Sequence, residues 1–210
     1  MSRDYILHKV RTAVGRSAGQ PPDPPPEPRL RVPELSTEQR IEMFRARLES
    51  LAGRVAVVGA PSEAREYVAA MAAGKRAVAS NAPFLTACGI TSIPEVRSGF
   101  REPKALLDAC TAADVGITSA DYALADTGTL VMLSSQEEAR AVSLLPPVHV
   151  AVIRRESLLT GLDELFSLVP EPDTLSSSMV LITGPSRTAD IEQILVRGVH
   201  GPGEIHVVIV

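Results

Sequence analysis

The sequence contains no tryptophan, and aromatic residues make up only 3% of its 210 positions. With so few rings, the interior has to be built from Val, Ile, Leu and Ala, and the stacking platforms that hold single-stranded nucleic acid are missing. Cysteine is nearly absent. Cys88 and Cys110 are too few for a disulfide framework or for ligating an iron–sulfur cluster unaided, and they read as small buried side chains in a reducing cytoplasm. Positive charge is not in excess: the formal charge of -4 argues against nucleic acid or another polyphosphate held by bulk attraction. No run approaches the ~18 apolar residues of a membrane span. Lys9 and Arg11 interrupt any apolar stretch near the N-terminus, so no signal peptide is read there and a cytoplasmic location is the expectation.

What is present suits one globular domain with an appendage: 45% hydrophobic and 22% charged residues, in a chain long enough to bury a core without staples. Residues 3–14 carry Ile6, Val10 and Val14 four apart, which predicts a short amphipathic helix. Pro21, Pro22, Pro24, Pro25, Pro26 and Pro28 follow; such density favours an extended, semi-rigid spacer. Residues 1–35 are therefore read as a helical arm and linker, a route to self-association, and 36–210 as the compact domain. Ser36 with Gln39 makes a capping box, opening a helix with Ile41, Phe44, Leu48 and Leu51 on one face. Strands are predicted at Val55–Val58, Ala77–Ala79, Val115–Thr118, Thr129–Leu133, Val148–Ile153, Val180–Thr183 and Ile205–Val210. Helices are predicted at Ser62–Ala73, Pro103–Ala113, Glu156–Leu168 and Thr188–Val196. Short apolar strands alternating with helices indicate an α/β fold with a mostly parallel sheet covered on both faces.

Ligands of such sheets bind beyond the carboxyl ends of the strands, and three loops are candidates. Thr183-Gly184-Pro185-Ser186-Arg187-Thr188 runs from a strand toward a predicted helix. Free amides and the Arg187 fork would suit an anion there, or Ser186 simply caps the helix. In Asp126-Thr127-Gly128-Thr129 one carboxylate sits beside two hydroxyls, which suits a nucleophile, base or acceptor, or an ordinary turn. In the third, Glu204 and His206 would share a strand face, with His200 and Gly201 at the preceding turn. A metal needs a further ligand at defined geometry, so no metal site is assigned. His149 reads as a satisfied histidine at a strand start. The turn Val58-Gly59-Ala60-Pro61-Ser62 is no Gly-x-Gly-x-x-Gly, so a nicotinamide dinucleotide is not expected.

Five stretches, Ala113-Asp114-Val115-Gly116-Ile117-Thr118-Ser119-Ala120-Asp121, Ala125-Asp126-Thr127-Gly128-Thr129, Ser143–His149, Thr183–Glu192 and Gly198–Pro202, together resemble the LUD-domain family and its lactate-utilization members. The resemblance implies a Rossmann-like three-layer α/β/α sandwich, similar to the sugar-phosphate isomerase and CoA-transferase superfamily. It also implies a role in oxidising L-lactate to pyruvate beside iron–sulfur partner subunits, with this chain carrying no cluster. Whether the chain catalyses alone is left open. Where the family pattern has Glu, this chain has Asp126, one methylene shorter. A small anionic or phosphorylated ligand is expected between Gly184, Ser186, Arg187, Thr188, His200 and Gly201 on one side and Asp126, Thr127, Gly128 and Thr129 on the other. The alternatives are a free-standing CoA- or folate-related transferase or ligase using Asp126, and an inert scaffold.

Overall fold

A computed structural model describes residues 2–15, 33–168, 178–188 and 196–210. It divides into two units, Met1–Leu30 and Arg31–Val210. The first holds helix α1 (Arg3–Ala13), capped by the Ser2 side chain and burying none of its residues. The proline-dense stretch from Pro21 falls outside the described residues.

In the second unit, α2 (Thr37–Ser50) leads into β1 (Arg54–Val57), α3 (Pro61–Ala72), β2 (Ala77–Ala79), α4 (Pro83–Ala87) and β3 (Val96–Arg97). Next come α5 (Pro103–Ala112), β4 (Val115–Ser119), β5 (Tyr122–Leu124), β6 (Thr129–Leu133), α6 (Arg140–Leu144) and β7 (Val148–Ile153). The chain closes with β8 (Leu158–Leu159), α7 (Leu162–Leu168), β9 (Met179–Ile182), β10 (Arg187–Thr188), β11 (Val196–Arg197) and β12 (Glu204–Ile209). Six strands form a parallel sheet in the order β1-β12-β7-β4-β2-β3. The α/β fold with a mostly parallel sheet is therefore as the sequence pattern indicated.

Successive residues of a strand point to opposite faces, and the two faces have separate cores. Val150, Val152 and Val208 pack with Ala64, Val68, Leu85 and Ile90 on the α3–α4 side. Ala151, Ile153, Val207 and Ile209 meet Phe44 and Leu48 of α2 together with Ala123 and Leu130 on the other. That second layer includes a four-stranded sheet, β8-β5-β6-β9, which the sequence reading did not foresee. The capping box is present as read: the Gln39 N–H donates to Ser36 Oγ, and the Ser36 N–H to Gln39 Oε1.

One predicted helix needs correction, and a second is in strand at its two described residues. Glu156–Leu168 is not one helix. Leu158–Leu159 is drawn into a parallel pairing with Ala123–Leu124, and the helix restarts only at Leu162, with the Glu164 carboxylate accepting from the Thr160 N–H. Of the helix expected over Thr188–Val196, the two described residues are in strands: Arg187 and Thr188 pair antiparallel with Arg197 and Val196. Ser186 explains this locally, because its N–H donates to the Pro202 carbonyl and its own carbonyl accepts from Gly198. Its backbone is committed to a neighbouring loop rather than to a helix start. Residues 189–195, with Asp190, lie outside the described residues.

Candidate functional site

The loops singled out from the sequence converge only in part. Thr129 Oγ1 donates to Thr127 Oγ1 at 2.8 Å and lies 2.7 Å from Thr183 Oγ1, joining the β5–β6 turn to the end of β9. Gly128, at φ +67°, lies against Arg47 and Leu48 of α2, and Gly184, at φ +80°, against Leu51 just past the same helix. A Cβ at position 201 would stand 3.4 Å from Ser186 Cβ, so Gly201 faces Ser186, and His200 is exposed. No helix begins at Arg187, which lies on strand β10. The Arg187 guanidinium instead donates to the Leu51 carbonyl. Asp126 faces another way. Its N–H donates to the Thr160 carbonyl at 3.0 Å, and its exposed carboxylate lies over Gly161, beside a cleft of about 370 Å³ lined also by Leu35, Met43 and Glu164.

Glu204 and His206 do share a strand face. His206 Nε2 is 2.8 Å from Glu204 Oε1 and its Nδ1 is 2.6 Å from the Tyr67 hydroxyl, so both ring nitrogens are engaged. Arg54 lies 3.4 Å from the same carboxylate oxygen; the His206 hydrogen bond, with smaller help from the Arg54 charge, holds Glu204 below the usual carboxylate range. This cluster stands at the start of β12, the end of the sheet opposite to where ligands bind. His149 is fully buried on β7, with Nε2 2.8 Å from Thr118 Oγ1 and Nδ1 without a partner. Burial pushes its pKa down to about 4, so the ring is neutral.

The topology points to a different place. The chain leaves β2 outward to the edge strand β3, returns to β4, and then moves the other way to β7. The connections therefore diverge between β2 and β4, and the crevice at their C-terminal ends is the switch point where open α/β sheets hold ligands. One side chain fills that crevice. Glu138, 7% exposed, arrives on the loop after β6 and accepts through Oε2 from the Ser80 hydroxyl (2.8 Å) and the Ser119 N–H (3.2 Å). The loop is held over the strand ends by the Asn81 N–H, which donates to the Glu137 carbonyl, and by Ser135 Oγ, which accepts from the Glu137 and Glu138 N–H groups. Glu138 Oε1 is buried and has no partner.

Burial raises the Glu138 pKa to about 8; the donors Ser80 and Ser119 oppose that rise, and nearby Asp121 adds to it. The carboxyl is therefore mostly neutral at pH 7. Asp121 is also raised by burial, and its Oδ2 accepts from the Leu133 N–H at 2.7 Å. Beside the pair opens a cleft of about 390 Å³, walled by Pro83, Phe84, Ser119, Asp121, Glu137, Glu138 and Arg154. The Arg154 guanidinium lies 3.8 Å above the Phe84 ring centre. Sequence reasoning missed Ser80, Ser119, Glu138 and Arg154. Glu138 stands in the polar run Ser134-Ser135-Gln136-Glu137-Glu138, which reads as a solvated turn. The usable signal was a serine directly after each of two predicted strands, Ser80 after Ala77–Ala79 and Ser119 after Val115–Thr118.

Among the described residues no group of three His, Cys, Asp or Glu is placed to hold a metal, and no helix is long and apolar enough to cross a membrane.

Comparison with known proteins fits this architecture. A crystal structure of a DUF162 family protein from Deinococcus radiodurans matches 84% of this chain and 99% of its own, with a TM-score of 0.60 at 21% identity, a likeness of fold. Lactate utilization protein C of Halalkalibacterium halodurans is 43% identical over 105 residues, 48% of this chain and 46% of that protein. The protein of the same name from Bacillus subtilis is 40% identical over 94 residues, 43% of this chain and 39% of its own. The chain thus spans a little under half the length of the curated relatives it matches. The LUD domain model matches residues 41–210, nearly the whole compact unit with its parallel sheet and its switch-point crevice, and the chain belongs to the LUD domain family.

Proposed function

We propose that this chain serves L-lactate utilization as a cluster-free component, working beside iron–sulfur subunits that carry the electrons from L-lactate to pyruvate. The relatives named for lactate utilization support the role, and the cleft supports the ligand. The observation that carries the reading is Arg154. Its guanidinium lies over the Phe84 ring in the wall of the switch-point cleft, and among the described residues it makes no hydrogen bond or ion pair. A cation placed this way suits the carboxylate of a small organic acid. Two cysteines, both free and buried, are too few to ligate an iron–sulfur cluster; in this reading the redox centre belongs to a partner and the isolated chain is expected to oxidise no lactate. A second reading keeps an anion near Gly184 and Ser186, where Gly201 faces Ser186 and His200 is exposed.

The test is thermal unfolding with L-lactate, pyruvate and phosphate, together with lactate oxidation through an artificial acceptor, with and without added iron–sulfur subunits. The reading requires stabilisation by lactate or pyruvate that Arg154→Ala removes, and turnover only in the assembled system. Turnover by the isolated chain, or stabilisation that survives Arg154→Ala but is lost on Ser186→Ala, counts against it.

A further inference from the structure

We infer that the crevice between the ends of β2 and β4 recognises a small organic anion at two points, with the Glu138 Oε1 hydroxyl donating a hydrogen bond to a second oxygen of the ligand while Arg154 meets the anionic group. This rests on the switch-point cleft being the ligand site. The assignment of donor and acceptor follows from the hydrogen bonds. Oε2 already accepts from two donors, the Ser80 hydroxyl and the Ser119 N–H, so it is the carbonyl-like oxygen of the acid. A proton on this group therefore sits on Oε1.

Oε1 is the oxygen that is buried and without a partner. A buried O–H lacking an acceptor is costly, and protein interiors rarely leave one so. An oxygen of a bound ligand would complete it. The charged groups around Glu138 are Asp121 after β4, Glu137 on its own loop and Arg154 after β7. Burial and the Asp121 charge keep the proton in place near neutrality. A ligand with a carboxylate and a neighbouring oxo or hydroxyl oxygen supplies both partners, and a simple monocarboxylate such as acetate supplies one. The site thus selects 2-oxo and 2-hydroxy acids or compact acyl phosphates, all of which carry an anionic end beside a further oxygen acceptor.

Titration calorimetry on the full chain tests this with pyruvate, L-lactate, acetyl phosphate and acetate as probes. Affinity for at least one of the first three should fall about tenfold between about pH 7 and about pH 9, as the neutral form of a group titrating near 8 is depleted. Glu138→Gln should bind nearly as well as the parent and lose that pH dependence, because its amide N–H replaces the O–H. Arg154→Ala should weaken binding about tenfold or more at both pH values. Acetate should bind more weakly than pyruvate. A circular-dichroism melt of each variant confirms folding.

Binding that strengthens with pH, or folded Glu138→Gln that no longer binds, would make Oε1 an acceptor and overturn the inference. So would the absence of binding by every probe. If acetyl phosphate alone shows the Glu138 and Arg154 signature, the two-point recognition stands and the lactate reading falls. If pyruvate binds without that signature, the lactate reading stands and this inference falls.

Discussion

Asp126 lies directly over Gly161, where a Cβ at position 161 would stand 2.5 Å from Asp126 Oδ2. The carboxylate tip is exposed and can swing aside. Gly161→Ala should therefore displace Asp126 at a cost of less than about 1 kcal/mol. Gly116 offers the contrast. On β4 a Cβ would fall 2.0 Å from the Val142 carbonyl oxygen of α6, a backbone atom with nowhere to go. Gly116→Ala should cost about 3 kcal/mol or more, as overpacking against fixed backbone does. Urea unfolding of the two variants checks the order; equal costs would mean α6 is not packed on β4 as described.

Two buried groups should set opposite pH slopes of stability. His149 is held neutral, with its pKa near 4 rather than 6.5. The unfolded chain binds its proton first, so the contribution is full above 6.5 and is lost as pH falls through 4, about 3 kcal/mol in all. Glu138 runs the other way. Its pKa of about 8 against 4.5 unfolded means that the folded state holds the proton more tightly. That contribution is full below 4.5 and is lost as pH rises through 8, on the order of 5 kcal/mol. Between 4.5 and 6.5 the slopes oppose each other, and above 6.5 Glu138 acts alone. Denaturant melts should show stability declining from about pH 6.5 to 8 at roughly 1.4 kcal/mol per pH unit. The decline should vanish in Glu138→Gln, and an unchanged slope in that variant would place the titration elsewhere.

The N-terminal capping box should also be measurable. Ser36 is exposed yet satisfies the first turn of α2 through Gln39. Ser36→Ala should cost about 1 kcal/mol, read as a lowered melting temperature.

Elements whose information is local were legible in the sequence. Thr129–Leu133 is a continuous apolar run and is β6 to the residue; Ser36 and Gln39 start α2 as their chemistry dictates. Leu158 and Leu159 show where local pattern fails. Their spacing with Leu162, Leu165 and Phe166 is helical, but the vacant edge of β5 captures them into a sheet, a competition that no window around residue 158 contains. Phe166, counted on the same apolar face, ends up 61% exposed. The candidate site was hidden for a related reason. Glu138 becomes an unusual group only through Ser80 and Ser119, 58 and 19 residues away, and its sequence neighbours give it the look of a turn.

Arg187 gives the sharpest separation between the sequence expectation and the structure. A guanidinium in the first turn of a helix opposes the helix dipole and would call for an anion. The structure removes that premise, since Arg187 begins strand β10. Its guanidinium reaches the carbonyl of Leu51, the residue that caps the C-terminal end of α2. Carbonyls at a helix C-terminus lack partners within the helix, and a cation there lies along the favourable direction of the dipole. The same stretch seats Gly184 against Leu51, so Arg187 acts as a clasp between the β9–β10 loop and the end of α2. Arg187→Ala should lower stability by about 1 kcal/mol, a hydrogen bond to a charged group discounted for its exposure. It should leave any stabilisation by phosphate unchanged, and Arg187→Lys should recover part of the loss. Chemical denaturation with and without phosphate decides the matter. A variant as stable as the parent that has lost its response to phosphate would return the anion to Gly184 and Arg187.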